Sequence, residues 1–178
     1  MIKGKKVGLR SVEKEDLILL KEWRNNPHFR KNFREVRELS TLDQEYWFES
    51  LSKTKNENFM FVLVDLKTNK VIGAAGLLYI NWIIRSADFS FYIGDNDIYI
   101  GDDDVSKESV SLLLDFSFNI LNLNKVWMEL YEFDSKKIKF FTELLNFKLD
   151  GLLRDNCFYE GKYYNSLIIS LLKQEYKF

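Results

Sequence analysis

Apolar and polar positions alternate from Lys5 to Arg10, as in a short strand with one buried face. Ser11 then offers an N-cap, with Glu13, Glu15 and Asp16 in the first turn and Leu17, Leu20 and Trp23 at helical spacing, so a helix is predicted to about Asn25 with Pro27 marking its end. Thr41 with Gln44 has the form of a capping box, and the following residues predict a second helix over Leu42 to Lys53. Asn58 to Leu66 and Val71 to Trp82 read as a hairpin about the polar turn Lys67 to Lys70. Ala87 to Ile93 adds a strand, a loop rich in aspartate follows, and a long apolar-faced helix runs from about Val105 to Leu121. Lys125 to Tyr131 is a strand, Ser135 to about Leu145 a helix, and Phe147 to Arg154 with Tyr164 to Leu172 a closing hairpin turned at Glu160, Gly161 and Lys162. A strand, helix, strand step over residues 87 to 131 requires a right-handed crossover and at least one parallel pair, so the fold class is mixed α+β with a mostly antiparallel sheet of six to seven strands and about four helices.

Composition narrows the class. The 178 residues fit one domain, and a hydrophobic content of 46% with a single proline excludes disorder and an internal linker. A net charge of −1 with dispersed basic residues gives no nucleic-acid footprint. Cys157 is the only cysteine, no signal-like apolar region follows Met1, and no apolar run is long enough to span a bilayer, so a cytoplasmic, non-membrane protein is expected.

Candidate chemistry gathers around the loop after Ile93. A strand feeding a loop that opens a helix is the generic layout of an anion site, because the first helical N–H groups lack partners and lie at the positive dipole end. The loop is not a calcium loop: counting from Asp95, its fifth and sixth positions are Tyr99 and Ile100 and its twelfth is Ser106. His28 and Cys157 are single and far apart, so no metal site is expected. His28, Arg30, Lys31 and Arg34 form a basic segment that is either a solvated face or one wall of an anionic-ligand pocket.

The segments LRSVEKEDLILLKEWRNNP, DQEYWFESL, RSADFSFYIGD, LLLDFSFNILNLNKVWMELYEFDSKKIKFF and FYEGKYYNSLIISLLKQEY resemble, in order and spacing, the GNAT superfamily of acyl-CoA N-acyltransferases over nearly the whole chain. The first half is similar to aminosugar N-acetyltransferases of the pseudaminic-acid type, and the second also to ribosomal-protein and spermidine acetyltransferases. The resemblance implies a single GNAT-like domain that transfers acetyl directly from acetyl-CoA, as co-substrate, to a primary amine of a small molecule, with a nucleotide-linked aminosugar as the expected acceptor and a homodimer as the expected assembly. A polyamine or a protein N-terminus is the further alternative.

It also implies a set of site residues, with two departures. Phe91 and Ile93 lie on the strand that leads into the cofactor loop, where the family form Arg/Gln-x-x-Gly-x-Gly/Ala falls on Gly101, Asp104 and Ser106, followed by Val105 and Lys107 as neighbours on the helix. Both family glycines are replaced, and Asp102, Asp103 and Asp104 place negative charge where phosphates should sit. In the last helix, Asp134 and Phe141 stand where an Asn touching pantetheine and a proton-donating Tyr or His are usual, with Lys137 between them. Phe141 cannot donate a proton; Thr142, Tyr131 or water would have to substitute.

Asp88 stands at the strand position where relatives carry a glutamate that accepts the amine proton, and a carboxylate paired with Arg85 is the plainer alternative. Tyr92, four residues on, shares its face. Trp23, Arg24 and Asn25 match the substrate side of the sugar-acting relatives, with core packing the plainer role for Trp23. A second function class stays open: the fold retained as a binding or regulatory protein that has lost its cofactor.

Overall fold

The computed structural model describes residues 1–101 and 103–177. Its centre is one eight-stranded sheet in the order β1-β2-β3-β4-β5-β6-β8-β7, built from β1 (Ile2–Lys3), β2 (Val7–Ser11), β3 (Phe59–Asp65), β4 (Val71–Asn81), β5 (Ser86–Ile93), β6 (Lys125–Tyr131), β7 (Lys148–Tyr159) and β8 (Lys162–Leu172). Neighbours pair antiparallel except β5 and β6, the parallel pair that the crossover required. The helices are α1 (Leu17–Asn25), α2 (Pro27–Arg30), α3 (Thr41–Lys53), α4 (Asp104–Asp115) and α5 (Ser135–Lys139), the last two continued by wider turns through Ile120 and Leu144.

The antiparallel register sorts the helices onto faces. Phe61 pairs with Ala75 and Ala75 with Phe91, so these side chains share one face, against which Phe116 at the end of α4 and Phe140 and Phe141 after α5 pack. Val62, Ala74 and Tyr92 share the other face, covered by α1 through Trp23. The core is heavily aromatic: Phe89, Phe91, Phe140, Phe141 and Phe147 meet edge-on or stacked at centroid distances of 5.1–6.2 Å.

Several local expectations are corrected. Ser11 lies in β2, and the first helical turn is instead held by Asp16, which accepts from the Glu13 N–H at 2.8 Å and pairs with Arg10 at 2.9 Å. Pro27 does not simply end the first helix. It opens α2 at the position where its missing N–H costs nothing, with Asn26 accepting from the His28 N–H at 3.0 Å. The capping box sits one residue earlier than expected, between Ser40 and Asp43. Strand β1 brings the sheet to eight strands rather than six or seven, β7 runs on to Tyr159, and α2 brings the helices to five rather than four among the described residues.

Candidate active site

Strands β5 and β6 run side by side only over Ser86↔Lys125, Ala87↔Val126 and Asp88↔Trp127, then part while each continues. A cavity of about 270 Å³ enters the gap. Its wall includes Asp88, Ser90 and Glu129 from one face of the sheet and Phe89, Met128, Leu130 and Lys137 from the other, so the opening passes through the sheet. A second cavity of about 490 Å³, lined by Arg37, Asp43, Tyr46, Met60 and Tyr92 among others, adjoins it. Both are bounded by Arg24, Glu35, Trp47, Leu78, Tyr79 and Ser90, and together they form one cleft between the sheet and the segment that links α2 to α3.

Asp88 is 2% exposed. Burial pushes its carboxyl up, opposed by the guanidinium of Arg34, whose Nη1 lies 2.5 Å from Oδ2. Arg34 therefore takes the place foreseen for Arg85, which adopts a left-handed turn (φ 52°) at the start of β5. Arg34 Nε also lies 3.6 Å from Oε2 of Glu129, whose other oxygen accepts from Ser166 Oγ and Asn156 Nδ2, both at 2.7 Å. Tyr92 lies on the same face as Asp88, and burial holds its phenol protonated, pushed up to about 12.

The other substrate-side residues have separate duties. Arg24 faces the cleft with its guanidinium 4.2 Å above the Phe33 ring. Asn25 instead ties down the following segment through a reciprocal pair of hydrogen bonds with Leu39, each 2.8 Å. Trp23 is 8% exposed, packs edge-on to Tyr92 and is not among the residues lining either cavity. Its ring lies so close to Gly94 that a Cβ there would fall 2.0 Å from Trp23 Cδ2, so the chain can leave β5 only with glycine at this point.

At the loop, Ile93 N–H donates to Tyr99 O at 2.8 Å and the Tyr99 hydroxyl donates to Asp134 at 2.7 Å, fastening the loop to the start of α5. Asp103 is the N-cap of α4, accepting from the Ser106 N–H at 2.7 Å. Gly101 is buried beside it, where a Cβ would meet the Asp103 carboxylate at 2.7 Å and Ser106 Oγ at 2.9 Å. Asp104 pairs with Lys6 at 2.5 Å, Lys107 and Val105 are partly exposed on the first turn, and Asp102 lies outside the described residues.

In the gap itself, Lys137 Nζ donates to Phe91 O at 2.7 Å, and burial lowers this amine to about 8. Phe141 is wholly buried among aromatic rings, and the Thr142 hydroxyl is already spent on Ile138 O at 2.8 Å.

The sheet thus splits between two parallel strands and sets buried acid–base groups, Asp88 and Lys137, in the opening. The chain belongs to the GNAT acetyltransferase family, since the model of the acetyltransferase (GNAT) domain matches residues 6–144. A spermidine N(1)-acetyltransferase of Vibrio cholerae is 27% identical over 173 residues, covering 94% of each chain. An uncharacterised N-acetyltransferase of Bacillus licheniformis is 29% identical, covering 94% of this chain and 93% of its own. The crystal structure of spermidine N-acetyltransferase from Vibrio cholerae with CoA and spermine superposes with a TM-score of 0.86 at 25% identity, covering 97% of this chain and 98% of that one.

The chain is accordingly an N-acetyltransferase with acetyl-CoA as its co-substrate. The gap between β5 and β6 suits the acyl-bearing arm, because strand backbone and the Lys137 amine line it. The N-terminus of α4, where the family resemblance would set the phosphates, already holds an anion, the Asp103 carboxylate, on the Ser106 N–H.

Sequence reading missed Glu129, Glu35 and Arg37. The burial pattern of β6 alternates strictly, so Trp127 and Glu129 share a face, and the parallel register then sets that face beside Asp88. That register is a tertiary fact with no local signal. Arg34 belongs to the basic segment for which two roles were open, and it lies against carboxylates rather than in open solvent.

Proposed function

We propose that the acceptor is a polyamine or a closely similar aliphatic polycation. The observation that carries this reading is the cleft that passes through the sheet, with the carboxylates of Asp88 and Glu129 lining its smaller cavity, Asp43 its larger one, and Glu35, paired with Arg37, bordering both. The spermidine-acetylating relatives support it and favour a polyamine over the aminosugar expected from the first half of the sequence.

In this reading Asp88 accepts the proton of the incoming ammonium, directly or through water, and a buried carboxylate with an upward tendency suits that task. Acetyl-CoA supplies the activated acyl group, its arm lying along Phe91 and Ile93 of β5 and beside Asp134 and Lys137. Because Phe141 has no proton to give, Lys137 is the group that hands one to the leaving sulfur. Arg24 and Tyr92 shape the outer wall; Trp23 and Asn25 support it.

Spermidine acetylation followed by release of the coenzyme A thiol tests the proposal. Asp88→Asn should lower kcat by about 10²–10⁴-fold with a smaller change in the KM for acetyl-CoA, the usual span for loss of a general base. Unchanged kcat in Asp88→Asn would overturn the assignment of the base.

A further inference from the structure

The carboxylate pair in the smaller cavity is already occupied by a cation that the chain supplies itself. Glu129 is fixed from behind by Ser166 and Asn156, which leaves Oε2 towards Arg34, and Asp88 is held in the sheet with its side chain 3% exposed. The anionic half of the contact is therefore preorganised. The cationic half is less so: Arg34 lies in the segment between α2 and α3, its side chain is 45% exposed, and its head group is held by the two carboxylates and the face of the Trp127 ring, 5.9 Å away, with no part in the sheet. Although the charges touch at 2.5 Å, Asp88 Oδ2 receives no well-aligned hydrogen bond among the described residues. A guanidinium is planar and offers its donors in a fixed fork, whereas an ammonium is compact and turns its three donors freely. The second geometry suits a carboxylate pair approached end-on.

We propose that Arg34 is an internal stand-in for the substrate: its guanidinium fills the subsite of the reacting ammonium between Asp88 and Glu129, and it must swing out before an amine can bind. This rests on the amine-acetylating reading above and adds to it the position and charge of the acceptor subsite. The arrangement sets specificity, since only a cation can replace a cation there without leaving two carboxylates unpaired. It also couples binding to chemistry. While Arg34 is in place it opposes the effect of burial on Asp88; when it leaves, the carboxylate becomes the better base.

The test is calorimetric titration of spermidine into the free protein, without acetyl-CoA. A subsite filled by Arg34 nine-tenths of the time weakens apparent affinity about tenfold, so Arg34→Ala should tighten spermidine binding by about that factor. Millimolar methylguanidinium should reverse the gain in Arg34→Ala, and adding Glu129→Gln should abolish it. A purely structural role for Arg34 would produce neither response. Arg34→Lys keeps a cation on a smaller head group and should give an intermediate affinity if Arg34→Ala does not fold. Unchanged or weaker binding in a folded Arg34 variant overturns the proposal. Tightened binding without acetyl transfer to spermidine would sustain the subsite and remove the polyamine acetylation, whereas transfer with no tightening would do the reverse.

Discussion

Replacing Asp103 by asparagine isolates one question: how much the self-supplied anion at the start of α4 opposes the phosphates of coenzyme A. Asparagine caps a helix about as well as aspartate, so the hydrogen bond to the Ser106 N–H can persist while the charge is lost. Asp103 is exposed, which places its interaction with a phosphate nearer the aqueous limit than the buried one. Unit charges about 4 Å apart interact by about 1 kcal/mol in water and about 4 kcal/mol at a protein surface. Taking about 1–2 kcal/mol for this exposed position, Asp103→Asn should tighten coenzyme A binding by about 5–30-fold. The gain should shrink as salt is raised from low to about 1 M, where the screening length falls to about 3 Å. Calorimetric titration with coenzyme A at two ionic strengths measures both effects. Asp103→Ala serves as the control for the cap, with a stability loss of about 1 kcal/mol. Unchanged or weakened affinity in Asp103→Asn, with the melting temperature preserved, would refute the view that this carboxylate competes with phosphate.

Other substitutions probe the framework. Burial of Lys137 lowers its amine from 10.5 to about 8, so the unfolded chain binds the extra proton between those values and the folded state gains stability as pH rises through that window. The difference in unfolding free energy between wild type and Lys137→Met should thus shift by up to about 3 kcal/mol in favour of wild type between pH 7 and pH 10.5. A pH-independent difference in denaturant titrations would contradict this. Gly94→Ala drives a methyl group into the Trp23 ring and should cost about 1–3 kcal/mol, as overpacking does. If the clash is the cause, adding Gly94→Ala to Trp23→Ala should cost much less, which a double-mutant cycle from melting curves can read.

The order of elements was legible because period-2 and helical spacing are strong in this chain. The β3–β4 hairpin, β5, β6 and the Glu160–Gly161 turn fall where the pattern put them, and that turn takes positive φ at both residues, 47° and 79°. Boundaries set by competing side chains were less so. Ser11 and Thr41 both have cap chemistry, yet the caps fall to Glu13 and Ser40, whose boxes with Asp16 and Asp43 add reciprocal bonds, Asp16 being held by Arg10 as well. In the site, Asp88, Arg24 and Lys137 were named in advance and do line the cleft. The partner of Asp88 was not legible, because Arg34 reaches it from more than fifty residues away through a segment with no regular structure. Asp103 drew notice for its charge alone; that it caps the helix is visible only in three dimensions.

The proposed reaction moves acetyl from acetyl-CoA to a polyamine in the cleft between β5 and β6. Mass spectrometry of spermidine incubated with the protein and acetyl-CoA, alongside thiol release, tests it most directly. Acetylated spermidine should appear in step with free coenzyme A and be lost in Asp88→Asn. No acetyl transfer to spermidine from a folded protein, while another class of amine is acetylated or acetyl-CoA fails to bind at all, would contradict it.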